Sequence, residues 1–415
     1  MGRRIRVALG LALLGSGLMT VAMAGEGPPG TEIRVDTATL PPPYATPAAH
    51  NPPEIVPAPP GAGVDVPAGF QANAFARDLP GARNLTVAPN GDVLVTIQHA
   101  GEIKVLRDGA GRGRADVVET LATGFSQPFG LVIRPDGLYV GDTRGVWRLA
   151  YRPGDLKVQA PPQRLTPPGA LGEASGHVTR TVAFAPDGRR FYVAVGSSGN
   201  LAEEPVPRAT IQEFAADGTP LGTFAAGLRN PVGLAFRPGS DELYTVVNER
   251  DGLGDGLVPD YLTRVERGAF YGWPYAYLGG HPQPGLAERR PELVAQSRMP
   301  DLLFESHSAP LGLVFYQGDQ FPAEYRGDAF VARHGSWNRS DPVGYDVVRV
   351  HFENGRPAGT YQRFATGFRL PGPDKGTARV WGRPVGLAVA QDGSLLAADD
   401  AGGSIWRIAY GHPAR

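Results

Sequence analysis

The chain has 415 residues, 42% of them hydrophobic, which is enough for a large core and too much for one small domain. Its 40 Lys and Arg against 41 Asp and Glu leave no basic excess to neutralise phosphates, which argues against a nucleic-acid partner. With no cysteine, disulfides, thiolate nucleophiles and Cys-ligated metals are excluded.

In chain order, the first element reads as an export signal. Arg3, Arg4 and Arg6 open it, a short apolar stretch broken by glycines follows, and Ala22-Met23-Ala24 supplies the small-x-small pattern of a cleavage site. This predicts a cleaved signal over 1–24, a periplasmic location and no stable membrane span. Residues 25–65 are rich in Pro and Ala and read as an extended linker or a strap over the surface.

From residue 80 onward one pattern recurs: an apolar run, a turn of the Pro-Asp-Gly type, and a second apolar run. The copies are NLTVAPNGDVLVT, FGLVIRPDGLYVG, RTVAFAPDGRRFYVAV, VGLAFRPGSDELYTVV, LGLVFYQGDQFPAEYRGDAFVA and VGLAVAQDGSLLAAD. Each reads as a hairpin whose turn residues tolerate positive φ, and some are followed by a third strand such as GVWRLAY. Gly and Pro, together close to a quarter of the chain, agree with an all-β protein of short strands. Six copies of one turn predict a six-bladed β-propeller over 66–412, in preference to a β-sandwich with similar hairpins.

The repeat carries a geometric consequence. If the first strand of each blade lies nearest the axis, all six turns share one end of the disc. Residues just before each first strand, and just after each second strand, share the other. The pre-strand positions are Arg83-Asn84, Gln127, His177, Arg229-Asn230, His307 and Arg383, and side chains far apart in sequence converge there on one pocket. Of the eight histidines, His177, His307 and His334 map to this end and His99 could line its mouth. His50 and His412 lie in terminal segments, His281 in an insertion and His351 in a strand. No H-E-x-x-H, G-x-S-x-G, Walker-type or G-x-G-x-x-G motif occurs.

A neutral imidazole at His177 can take a hydroxyl proton near physiological pH, the alternative being a histidine bonded structurally to a loop carbonyl. Arg229, Asn230 and Arg383 suit a planar polyanionic ligand, the alternative being arginines in rim salt bridges. Glu249, Asp251, Asp255 and Asp260 gather in a Gly-rich loop whose hard oxygen atoms favour Ca²⁺, the alternative being a solvated acidic loop.

The segments GLRNPVGLAF, NERDGLGDGLVPDYLTRV, SGHVTRTVAFAPDG and FVARHGSWNRS resemble the glucose/sorbosone dehydrogenase family over about residues 65–412. The resemblance implies a six-bladed propeller that binds pyrroloquinoline quinone (PQQ) and Ca²⁺ at one end. It assigns His177 as general base, Gln127 as the glutamine contacting base and substrate, and Arg229 and Asn230 as the pair over the quinone carbonyls. It also assigns Arg383 to the cofactor carboxylates and the carbonyls of Asp251 and Gly252 to Ca²⁺. The family's cofactor lysine has no equivalent here, and Arg339 or His334 is the expected substitute; His307 joins the expected cofactor contacts, and Glu249 and Asp260 of the acidic loop join the expected metal ligands. Two departures stand out: Gly176 replaces an acidic residue before the base, and the family's stacking tryptophan has no match near Glu305–His307. These place the chain on the sorbosone-dehydrogenase-like side.

The expected reaction is oxidation of a sugar or sugar aldehyde by hydride transfer to PQQ, with electrons passed to an external quinone or cytochrome. The alternatives are a Ca²⁺-dependent propeller lactonase and a non-catalytic propeller that binds a ligand on its open end.

Overall fold

A computed structural model describes residues 27–372 and 375–411; the expected signal over 1–24 and His412 lie outside the described residues. Six antiparallel sheets form the blades of a propeller. Their inner strands are Ala82–Val87, Gly130–Arg134, Val182–Phe184, Asn230–Phe236, Pro310–Phe315 and Pro384–Val389, each packed on the next around a closed ring. Blades 1 to 6 are numbered in that order. Phe70–Ala76 pairs with Ser404–Tyr410 as the outermost strand of blade 6, so a strand that precedes the first repeat closes the ring and leaves no open edge between the chain ends.

Strand periodicity explains why the repeats are nearly continuous apolar runs. In blade 1 the second strand is Val93–Ile97, buried throughout. Val93, Val95 and Ile97 pack toward blade 6, and Leu94 packs toward blade 2. In blade 6, Leu395 and Ala397 face blade 5 while Leu396 and Ala398 face blade 1. Successive side chains point to opposite faces, and here both faces are covered, so both must be apolar. One hydrophobic cluster fills each of the six seams between blades. A seventh, of Phe129, Val232, Leu311 and Val385, plugs the axis itself.

Residues 27–65 run over the loops of blades 4, 5 and 6. Glu32–Ile33 adds a fifth strand to blade 5, Tyr44 N–H donates to Leu253 O at 2.8 Å, and Asn51 N–H donates to Trp337 O at 2.7 Å. Glu54–Ile55 then pairs with Arg379–Val380. Blade 4 carries an insertion between its third strand, Pro259–Val265, and its fourth, Leu302–Ser306; it includes a short helix, Pro291–Gln296. No helix among the described residues is long and apolar enough to cross a membrane.

Candidate active site

Each inner strand is entered from a loop at one end of the disc, and several of these loops take left-handed backbone: φ is 52° at Gln127, 60° at Gly176, 67° at His307 and 54° at Ala309. A Cβ on Gly176 would lie 2.1 Å from Ser198 O, so no acidic residue fits before His177. Gly196 is equally constrained, since a Cβ there would lie 2.6 Å from His177 Cβ and 2.5 Å from Asn230 Oδ1. Strain of this kind is sustained only where the surrounding packing holds it, and it commonly marks sites.

The loops enclose a cavity of about 230 Å³, with Leu311 of the axial plug among its lining residues. Blades 3 and 4 build one wall. His177 Nδ1 lies 2.9 Å from Ser197 O and 3.0 Å from Ser197 Oγ; a carbonyl only accepts, so Nδ1 carries the proton and Nε2 keeps its lone pair. Burial, reinforced by Arg229, lowers the imidazole to about 4, which keeps it neutral. Arg229 donates to Glu249 O at 2.7 Å and to Asp251 Oδ2 at 3.1 Å. Asp251 also accepts from Asn338 at 2.5 Å and lies 3.5 Å from His307 Nδ1. Asn230 is only 6% exposed, and its Oδ1 has no hydrogen-bond partner.

Blades 5, 6 and 1 build the other wall. His334 Nε2 meets Asp400 Oδ1 at 2.9 Å, and Arg83 Nη1 donates to Asp400 Oδ2 at 2.6 Å. Arg383 donates to the backbone carbonyls of His334 and Gly335, each at 2.9 Å. Among the described residues no carboxylate lies within ion-pair distance of it, and burial lowers the guanidinium below its ordinary range. Trp337, 44% exposed, stands at the mouth with its ring edge against His50.

The structure thus brings His177, Arg229, Asn230, His307, Arg383, Glu249, Asp251 and Asp260 to one cavity. It does not bring all of the expected set. Gln127 is exposed and lies outside the lining. Arg339 is likewise outside; its guanidinium is closed by Asp341 with two bonds of 2.8 Å. Gly252 is exposed at φ 99°, and Asp255 accepts from Ser340 N–H away from the cavity.

The acidic loop does not fit the calcium set that the resemblance implies. Glu249 is paired with the fully buried Arg250 at 2.8 Å. Arg250 is held in turn by Gln283 and Ala276 O of the blade 4 insertion. Asp260 accepts N–H bonds from Glu249 and Ala309, both at 2.8 Å, and burial raises it to about 6. The carbonyls of Glu249, Asp251, Leu253 and Gly254 each accept a donor as well. Among the described residues no group of three or more His, Asp or Glu is placed to hold a metal ion. We therefore derive no step through calcium.

Sequence reasoning missed the Asp400 partnership, Trp337 and Asn338. A signal for Asp400 existed. It directly follows the second strand of its blade, Leu395–Asp399, the same position that His334 holds after Ala329–Arg333 and Glu249 holds after Leu243–Asn248.

Fold and site together define a six-bladed propeller whose open end presents three histidines and a guanidinium that has no carboxylate partner among the described residues. A TrAA12-like family model matches residues 64–258 and 292–411, and the chain belongs to that family. A pyrroloquinoline quinone-dependent pyranose dehydrogenase of Coprinopsis cinerea is 27% identical, over 83% of this chain and 54% of its own length. An uncharacterized protein of Borreliella burgdorferi is 34% identical over 56% of this chain and 61% of its own. The chain thus spans only about half to three-fifths of the length of these curated relatives. The holo PQQ domain of the Coprinopsis cinerea pyranose dehydrogenase matches with a TM-score of 0.71 at 21% identity, covering 84% of this chain and 97% of that one. The likeness shows the fold.

Proposed function

We propose that this protein is an exported, periplasmic quinoprotein that oxidises a sugar, either an aldose or a sorbosone-like sugar aldehyde, with PQQ as cofactor. The observation that carries the reading is Arg383, a half-buried guanidinium with no carboxylate partner among the described residues, in a cavity that also holds the unpartnered Asn230 Oδ1. A desolvated cation of this kind suits a planar ligand bearing carboxylates. The residues present fit PQQ, which Arg383, Asn230 and His307 would hold. PQQ supplies a two-electron acceptor of hydride when bound.

The remaining roles fall to the chain's own groups. His177 Nε2 takes the proton of the substrate hydroxyl, and Ser197 O fixes the imidazole in the tautomer that allows it. Arg229, anchored by Asp251 and Glu249 O, sets the local positive charge beside that base. Trp337 offers an apolar ring face to the sugar at the mouth. An aldose would yield a lactone, and a hydrated sugar aldehyde an acid. The electrons then pass to an acceptor of the quinone or cytochrome class. A calcium-dependent lactonase is disfavoured by the paired carboxylates.

The test is to titrate the purified protein with PQQ, with and without added Ca²⁺, following absorbance and thermal shift, and then to add aldoses and sugar aldehydes with a redox dye. Cofactor uptake followed by sugar-dependent dye reduction is expected. Failure to take up PQQ would sink the proposal in favour of a ligand-binding propeller.

A further inference from the structure

The cavity holds a third histidine, His334, that the reaction above does not use. His334 leaves the second strand of blade 5, Asp400 leaves the second strand of blade 6, and Arg83 sits on the inner strand of blade 1. Three blades therefore meet in one chain of charge-assisted bonds: Arg83 to Asp400 at 2.6 Å and His334 to Asp400 at 2.9 Å. Burial works against the charge on Asp400, but His334 and Arg83 hold it well below the usual carboxylate range. An ionised carboxylate only accepts, so His334 donates through Nε2–H and keeps the lone pair on Nδ1. Nδ1 has no hydrogen-bond partner among the described residues, the side chain keeps 15% of its area exposed, and the residue lines the cavity.

The charged groups facing this imidazole are Asp400, Arg83 and Arg383. A carboxylate behind one ring nitrogen and an open lone pair on the other is the arrangement by which a histidine base is oriented and its protonated form stabilised. Among the described residues His177 has no such carboxylate, and its Nδ1 meets Ser197.

Oxidising a CH–OH group to a carbonyl breaks one C–H and one O–H bond and releases two electrons and two protons. The O–H proton goes to Nε2 of His177. The C–H hydrogen leaves as hydride to the quinone acceptor and is left as a proton once the electron pair passes to the external acceptor. A second base in the same cavity can take that second proton. We propose that His334 accepts it on Nδ1 and carries it out of the cavity, with Asp400 as its positioning residue. This rests on the quinoprotein reading above.

Separating the two half-reactions tests it. PQQ-loaded wild type, His334→Gln, Asp400→Asn and His177→Gln would be compared by anaerobic stopped-flow absorbance: first reduction by sugar, then reoxidation by a one-electron dye. PQQ affinity and thermal stability would be measured alongside. In His334→Gln, reduction by sugar should stay within a few-fold, while reoxidation slows by about 10²-fold and loses its pH dependence. Asp400→Asn should slow the same step by about tenfold, which keeps the test open if His334→Gln does not fold. His177→Gln should show the converse pattern. Nitrogen-15 NMR of the cofactor-free protein should place the His334 proton on Nε2. Unchanged reoxidation in both variants would overturn the inference, as would a proton found on Nδ1. Weakened PQQ affinity with normal reoxidation would also overturn it, making His334 a cofactor ligand. A wild type that takes up no PQQ overturns the proposed function itself, and this inference with it.

Discussion

The two walls of the cavity use the same residue type to different ends. His177, on the wall of blades 3 and 4, is anchored by a backbone carbonyl and a serine hydroxyl and stands beside Arg229. His334, on the wall of blades 5, 6 and 1, is anchored by an ionised carboxylate that is itself braced by an arginine. Burial lowers both imidazoles to about 4, so their difference lies in what waits behind the ring when a proton arrives. A carbonyl orients; a carboxylate also stabilises the cation that forms. The first suits a base that takes a proton as hydride leaves, the second a relay that takes a proton and passes it on.

The largest expected effect comes from removing the first base. His177→Gln should cut sugar-dependent reduction of bound PQQ by about 10²- to 10⁴-fold with cofactor affinity within about twofold; stopped-flow absorbance reads the first and titration the second. Full turnover in this variant would move the proton-accepting role to the opposite wall.

The next effect concerns what supports the blade 4 loop. Arg250→Met leaves the Glu249 carboxylate, 3% exposed, without its cation, and breaking a buried pair in this way costs about 3–5 kcal/mol. Urea denaturation should show that loss. A loss below about 1 kcal/mol would mean that Glu249 reaches solvent or protonates without cost.

A smaller effect appears in the pH dependence. Both histidines titrate at about 4 in the folded chain against 6.5 ordinarily, so between those values the unfolded chain binds more protons and stability falls as pH is lowered. Asp260 and Asp399, raised by burial from 3.8 to about 6, act in the opposite sense over their own interval. Replacing both histidines by Gln removes the first contribution and keeps the second. The double variant should therefore lose less stability than wild type between pH 7 and about pH 4.5; urea midpoints that fall in parallel would contradict the assigned burial.

The smallest effect is Ser197→Ala. It removes the hydroxyl but keeps the carbonyl that fixes His177, so stability should change by about 1 kcal/mol or less and the reduction rate by only a few-fold. A loss comparable to His177→Gln would show that the hydroxyl, not the carbonyl, sets the tautomer.

Much of this protein was legible in its sequence because a propeller repeats itself. The Pro-Asp-Gly turns and paired apolar runs marked the first two strands of every blade, and the rule that pre-strand residues share one end placed His177, Arg229, Asn230, His307 and Arg383 correctly at the cavity. Gln127, which precedes the inner strand of blade 2 in the same way, is exposed and is not among the cavity-lining residues. The acidic loop misled for another reason. Glu249, Asp251 and Asp260 are close in sequence and do line the cavity, but their carboxylates are already committed to Arg250, Arg229 and backbone N–H groups. Charge pattern shows where carboxylates gather, not which cation or amide meets them.

What the sequence determined by itself was periodicity: strand spacing, turn chemistry and the end of the disc on which each loop falls, all local quantities set by backbone geometry. What only the tertiary structure decided was pairing. The closure of blade 6 by Phe70–Ala76, the crossing of the strap from 27 to 65, and the Arg83–Asp400 bond each join residues hundreds of positions apart. Contacts of that range form only when the ring closes, and no local preference encodes them.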